Sequence, residues 1–184
     1  MPINRSKVTK VSPKYPVGEE PNFIIPKEYC GYRYALGRIA ANQTPLVAIC
    51  MNPSAAKEES SDMTINRIIN MSKRLGMEGW VVFNLYPERA TQASDMDNYN
   101  VELSKKNIHV IRTFLLENNI KEVLGAWGND QNLKALGLGR IEILKMLSDI
   151  GVKVFYFGTL TKDGNPRHPL QRQEKWDLNI KNYL

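Results

Sequence analysis

The stretch LVAICMNPSAAKEESSDMT, Leu46 to Thr64, decides how the rest of the chain is read. It opens with six apolar residues, Leu46 to Met51, and breaks off at Asn52, Pro53 and Ser54 before a polar loop. An apolar run this short, bounded by proline, reads as a strand buried on both faces, as in a parallel sheet covered by helices. Pro53 has no backbone N–H, so strand pairing is expected to stop there. The residue before a proline is held extended, which puts Asn52 at the carboxyl end of the strand as its last polar group. In open α/β sheets that edge is where ligands bind.

The same pattern recurs downstream. Ser60, Ser61, Asp62 and Thr64 offer caps for a helix with the buried stripe Ile65, Ile68, Ile69, Ser72 and Leu75, closed by Gly76. Trp80 to Phe83 reads as a second buried strand that runs out at Asn84, with Pro87 and Arg89 beyond it. A helix is predicted over Val101 to Glu117 with Ile108, Ile111 and Leu115 facing inward. A third strand, Glu122 to Ala126, ends at Trp127, Gly128 and Asn129. A helix over 139–150, with Ile141, Leu144, Leu147 and Ile150 inside, leads to a fourth strand, Val152 to Phe157, whose exit carries Arg167, His168 and Pro169. Upstream, YCGYRYALGRI alternates, with Arg33, Ala35 and Gly37 opposite Tyr32, Tyr34 and Leu36. That spacing predicts a half-exposed edge strand, turned antiparallel against Leu46 to Met51 by the loop 42–45.

Length and composition narrow the class. The 184 residues suit one domain, and 42% hydrophobic with 24% charged residues is ordinary for a globular protein. No apolar run reaches the roughly 18 residues of a membrane span, and the N-terminus lacks a signal-peptide core, so a cytoplasmic protein is expected. Cys30 and Cys50 lack metal-ligand spacing and histidines number two, which argues against protein-bound zinc, and no cofactor is expected. The formal charge is +6, but Arg5, Lys7, Lys10 and Lys14 precede every acidic residue and the body is nearly balanced. Residues 1–21, with four prolines, read as a flexible basic arm before a single α/β domain over 22–184. Such an arm can touch nucleic-acid phosphates or can simply be a solvated terminus.

If strand and helix alternate with right-handed crossovers, all four buried strands point the same way. Their carboxyl ends then bring Asn52, Asn84, Arg89, Trp127, Asn129 and His168 to one edge.

At these residues the chain resembles a known family, the prokaryotic and phage domain of unknown function sixteen forty-three. The resemblance runs from Tyr32 to about Gln171 through YRYALGRI, MNPSAAKEESSDMTINRI, VVFNLYPERAT, GAWGN and GNPRHPL, in that order. More distantly it is similar to the uracil-DNA glycosylase superfamily. There a first strand ends in a Gly-x-Asn-Pro-Gly motif, matched by Met51 to Ser54, and a His-Pro-Ser motif follows the last strand, where this chain has His168, Pro169 and Leu170. The resemblance implies a three-layer sandwich with a four-stranded parallel core in the order 2-1-3-4 and an added antiparallel edge strand. It also implies metal-independent hydrolysis of an N-glycosidic bond in a modified nucleobase, nucleotide or nucleic acid. Asn52 would position water against the sugar carbon, and His168 would hydrogen-bond the departing base, where negative charge develops. Asp62, at a helix start ten residues on, is the nearest plausible general base, with Glu58 and Glu59 less well placed by their loop.

Each group also has a plain structural reading. Asn52 with Pro53 and Ser54 can be a turn, His168 a loop histidine, Asp62 a helix cap, and Trp127 a core residue rather than a platform for a base. Arg89 and Arg167 are the stronger phosphate candidates, with Lys57 or Arg67 beside the helix start as others. The competing function is a non-catalytic module that binds a nucleotide or related signal in the same cleft.

Overall fold

The structure, a computed structural model, describes residues 13–41, 43–90, 96, 99–129, 133–171 and 176–184. The first apolar run is strand β3 (Leu46–Cys50), buried throughout. Val47 and Ile49 join one apolar cluster while Leu46, Ala48 and Cys50 join another, so both faces of the strand are covered. Around it lie β1 (Phe23–Ile25), β2 (Ala35–Ile39), β4 (Gly79–Asn84), β5 (Glu122–Gly125), β6 (Lys153–Tyr156) and β7 (Asn182–Tyr183). They form a seven-stranded sheet in the order β1-β2-β4-β3-β5-β6-β7. Neighbouring strands from β4 to β6 are parallel, and β1, β2 and β7 are antiparallel to the strands they pair with. The fold is thus a mixed α/β fold whose parallel strands all end at one edge.

Among the described residues, three helices cover the sheet: α1 (Met63–Arg74), α2 (Val101–Glu117) and α3 (Lys134–Asp149). Helix α1 buries Ile65, Ile68 and Ile69 in the cluster that holds Trp80, Val82 and Leu124. Full burial of each such side chain contributes roughly 1.5–3 kcal/mol. Its stop follows from Gly76, at φ +67°, where the chain turns back and the Met77 amide bonds the Ser72 carbonyl at 3.0 Å. Helices α2 and α3 place Ile111, Leu115, Ile143 and Leu147 in the opposite cluster with Val81 and Phe83. Among the described residues, no helix is long and apolar enough to cross a membrane.

Three expectations need correction. The alternating segment is not an edge strand against β3. β2 pairs with β4, Leu36 opposite Val82, and is itself covered by β1. The crowding there leaves no room for a side chain at Gly37, where an added Cβ would lie 2.6 Å from the Phe23 ring and 2.7 Å from the Trp80 carbonyl oxygen. The segment is not half-exposed at its start either, since Arg33 is buried along with Tyr34, Ala35 and Leu36. Helix α3 starts five residues earlier than expected, at Lys134. Its buried side runs through Ala135, Leu136, Gly139, Ile143, Met146 and Leu147, which leaves Ile141 62% exposed instead of inside. Gly139 is required where α3 crosses the Leu85 carbonyl, since any Cβ there would collide with it.

Of the basic arm, residues 1–12 lie outside the described residues. From Pro13 onward the chain is docked. Tyr15 is buried and stacks on Trp80 with ring centroids 5.9 Å apart, the Pro13 carbonyl accepts from the Ser61 amide at 2.9 Å, and the Glu19 carbonyl accepts from Trp80 Nε1 at 3.2 Å. At the other end Trp176 is buried against the α1 face of the sheet and β7 pairs with β6.

Candidate functional site

The carboxyl edge of the parallel strands opens into a cleft of about 620 Å³, lined by Asn52 and Ser54 after β3, Asp62 at the start of α1, Asn84 at the end of β4, and Asn129 and His168 beyond β5 and β6. Six of the ten residues singled out from the sequence therefore share one cavity. They meet because parallel strands deliver their exits to the same side.

The loop after β3 is held from several directions. Asn52 Nδ2 donates to the Ala90 carbonyl at 2.9 Å and to the Pro53 carbonyl at 3.1 Å, and the Ala90 amide donates to the Pro53 carbonyl at 3.0 Å. Both donors of the Asn52 amide are thereby committed to backbone. Its Oδ1 remains as the group able to accept from a water or a ligand N–H. Arg89 Nη1 donates to the Ser54 and Ala56 carbonyls at 2.9 and 3.1 Å, and Arg33 Nη1 donates to the same Ala56 carbonyl at 2.8 Å. Tyr15 donates its hydroxyl to the Lys57 carbonyl at 2.6 Å, so the N-terminal segment props the loop from outside.

Asp62 caps α1, its Oδ1 accepting from the Ile65 amide at 2.8 Å. Its charge also reaches Arg33, Cys50 and His168. Burial pushes the Cys50 thiol up to about 12, so it stays protonated at neutral pH and is no nucleophile there.

His168 sits on the loop after β6, where Gly128 makes room for it. The Gly128 amide bonds the Pro166 carbonyl at 2.8 Å, and a Cβ on Gly128, whose φ is +70°, would lie 3.1 Å from His168 Cβ. The imidazole Nδ1 accepts from the Leu170 amide at 3.3 Å, a geometry that assigns the proton of the neutral ring to Nε2. Burial lowers its pKa from the ordinary 6.5, more than the nearby Asp62 charge raises it. At neutral pH His168 is a neutral ring with one N–H to donate.

Asn129 links the two loops. Its Oδ1 accepts from Thr161 Oγ1 at 2.7 Å, and its Nδ2 donates to Asp163 at 2.5 Å. Asn165 extends the network, its Oδ1 accepting from Trp127 Nε1 at 3.2 Å and from Arg140 Nη1 at 2.5 Å.

The other four residues lie elsewhere. Trp127 is 1% exposed and packs in the core beside Val123 and Ile143, away from the cleft lining. Pro53 is buried behind the loop. Arg167 turns to Thr159, its Nε donating to the carbonyl at 2.9 Å. Arg89 belongs to a shallower neighbouring depression of about 270 Å³ with Tyr29, Lys57 and Ser60, its guanidinium 4.5 Å from the Tyr29 ring centroid.

Sequence reasoning missed Arg33, which lines the cleft at 1% exposure, together with Thr64 and Gln171. The signal for Arg33 was present as the one charge between two tyrosines in a segment otherwise apolar to Leu36. Among the described residues, Arg33 Nε and Asn84 Nδ2 are buried with no acceptor within hydrogen-bond distance. Both residues line the cleft, and a buried donor without an acceptor is an exception in a folded protein.

No curated protein and no solved structure matches the chain. A family model described as "Protein of unknown function (DUF1643)" matches residues 33–170, from the buried Arg33 to Leu170 beside His168. That match covers well over half of the sequence and contains every residue named above as lining the cleft except Gln171, and on it the chain belongs to this family.

Proposed function

We propose that the cleft hydrolyses an N-glycosidic bond in a modified nucleobase, nucleotide or nucleic acid, without a metal, and that the protein acts in the cytoplasm. The observation that carries this reading is the meeting of Asn52 and Asp62, from the connection between β3 and α1, with the distant His168 in one cleft. The parallel order β4-β3-β5-β6 supports the more distant likeness to the uracil-DNA glycosylase superfamily.

In this mechanism the neutral His168 donates Nε2–H to an oxygen of the leaving base. That bond strengthens as negative charge reaches the base, so it lowers the barrier more than it tightens binding. Asn52 Oδ1 holds the attacking water against the sugar carbon. Asp62 accepts the proton of that water as the carbon–oxygen bond forms and the carbon–nitrogen bond breaks.

One observation favours the second reading, a non-catalytic nucleotide-binding module. Asp62 already spends one carboxylate oxygen on the first turn of α1, the ordinary job of a helix cap.

The two readings separate in a single-turnover assay for free base released from a panel of modified nucleotides and oligonucleotides. Asn52→Ala and Asp62→Ala are expected to lower the rate far more than they weaken binding of the same substrate, measured separately by calorimetry. A tight ligand that stays uncleaved, with both variants changing only its affinity, would establish the binding module instead.

A further inference from the structure

We infer that the cleft holds an oxyanion, a phosphate group, against Arg33. The charge of this guanidinium is favoured by Asp62 only from beyond ion-pair distance. Arg33 is 1% exposed and lines the cleft, yet among the described residues no carboxylate lies within ion-pair distance of it. Burying a cation costs several kcal/mol unless it is paired and hydrogen-bonded. Its single hydrogen bond, Nη1 to the Ala56 carbonyl at 2.8 Å, does not require a charge, because Arg89 already donates to that same oxygen at 3.1 Å. Two guanidinium groups thus converge on one carbonyl oxygen. Their mutual repulsion adds to burial in lowering the Arg33 pKa to about 10, so the group is still charged at neutral pH.

Arg33 Nε and Asn84 Nδ2 are buried without acceptors, and Thr64 and Ile65 belong to the first turn of α1, whose N-terminal end favours anions. A phosphate accepts several charge-assisted hydrogen bonds and matches the planar fork of arginine. Asp62 opposes it, and that opposition supplies an independent test.

This assignment goes beyond the glycosidic reading, and binding alone decides it. It also replaces Arg167, which is occupied with Thr159. Inorganic phosphate is titrated by calorimetry into the full chain, with chloride at matched ionic strength as control. Nucleoside monophosphates and the matching nucleosides form the second arm. Phosphate is expected to bind, and Arg33→Met to weaken it about tenfold or more, the scale of a lost hydrogen bond to a charged group. Asp62→Asn keeps a capping side chain and removes the opposing charge, so it should tighten phosphate several-fold. Monophosphates binding more tightly than nucleosides, by a margin lost in Arg33→Met, would show that the phosphate belongs to a nucleotide; inorganic phosphate alone binding through Arg33 would show a free-phosphate site. If Arg33→Met does not fold, Arg33→Lys keeps the charge without Nε and is expected to show an intermediate loss, while Asp62→Asn is read on its own. Failure of wild type to bind either phosphate source, or equal affinity in the Arg33 and Asp62 variants, would overturn the assignment.

Discussion

Trp127→Ala is expected to destabilise the protein by about 3–5 kcal/mol, the usual cost of truncating a large buried aromatic side chain. The indole is 1% exposed within the apolar cluster between the sheet and helices α2 and α3. Its Nε1 donates to Asn165, which Arg140 also holds, so truncation empties a cavity and loosens the loop that carries His168. Urea denaturation gives the change directly, as a shift in midpoint at unchanged slope. A tryptophan that served only as a stacking platform would behave otherwise, losing ligand affinity with stability altered by less than about 0.5 kcal/mol.

His168→Ala should lower the single-turnover rate on the order of 10²-fold, the loss seen when one preorganised donor to a developing oxyanion is removed. Binding of the intact substrate should change much less, because the bond strengthens only as the base departs. The same substitution has a second readout in the pH dependence of stability. The folded-state pKa of His168 lies below the ordinary 6.5 because of burial. Between the two values the unfolded chain binds more protons than the native one. The contribution of His168 to stability is therefore complete above about pH 6.5 and is lost as pH falls toward the folded pKa. Urea midpoints at pH 7.5 and 5.5 should show a smaller acid loss in His168→Ala than in wild type. Equal losses would mean that the ring is no more shielded in the folded protein than in the unfolded chain.

The sequence carried the central strands and their common edge clearly, because each is a short apolar run that stops at an asparagine, a proline or a glycine. Val101 to Glu117 was bounded correctly because Asn100 is a good cap, bonding the Leu103 amide at 3.0 Å, and the apolar stripe is regular. β1 and β7 escaped notice because three and two residues carry no periodicity. The partner of β2 was misassigned because adjacency in sequence suggested a hairpin with β3, whereas β4 comes between them. That same error hid Arg33. An alternating segment at a sheet edge has a wet face, but here Arg33, Tyr34, Ala35 and Leu36 are all buried, so neither face is wet at this end of the segment.

Asn52, Asp62 and His168 were legible as neighbours in one cleft because the topology sends their loops to one edge. Arg89, Arg167 and Trp127 were not, since a side chain that follows a strand can turn into the cleft, toward its own loop or back into the core. Backbone carbonyls of Ser54, Ala56 and Thr159 capture the two arginines, and the apolar cluster takes the tryptophan.

The central claim is that a glycosidic bond lies across this cleft, and a structure with a bound nucleotide analogue that resists cleavage tests it most directly. The account predicts a base oxygen within hydrogen-bond distance of His168 Nε2 and the sugar carbon beside a water held by Asn52 Oδ1. A ligand seated instead on Tyr29 and Lys57, or bound in the cleft with its base turned away from His168, would contradict it.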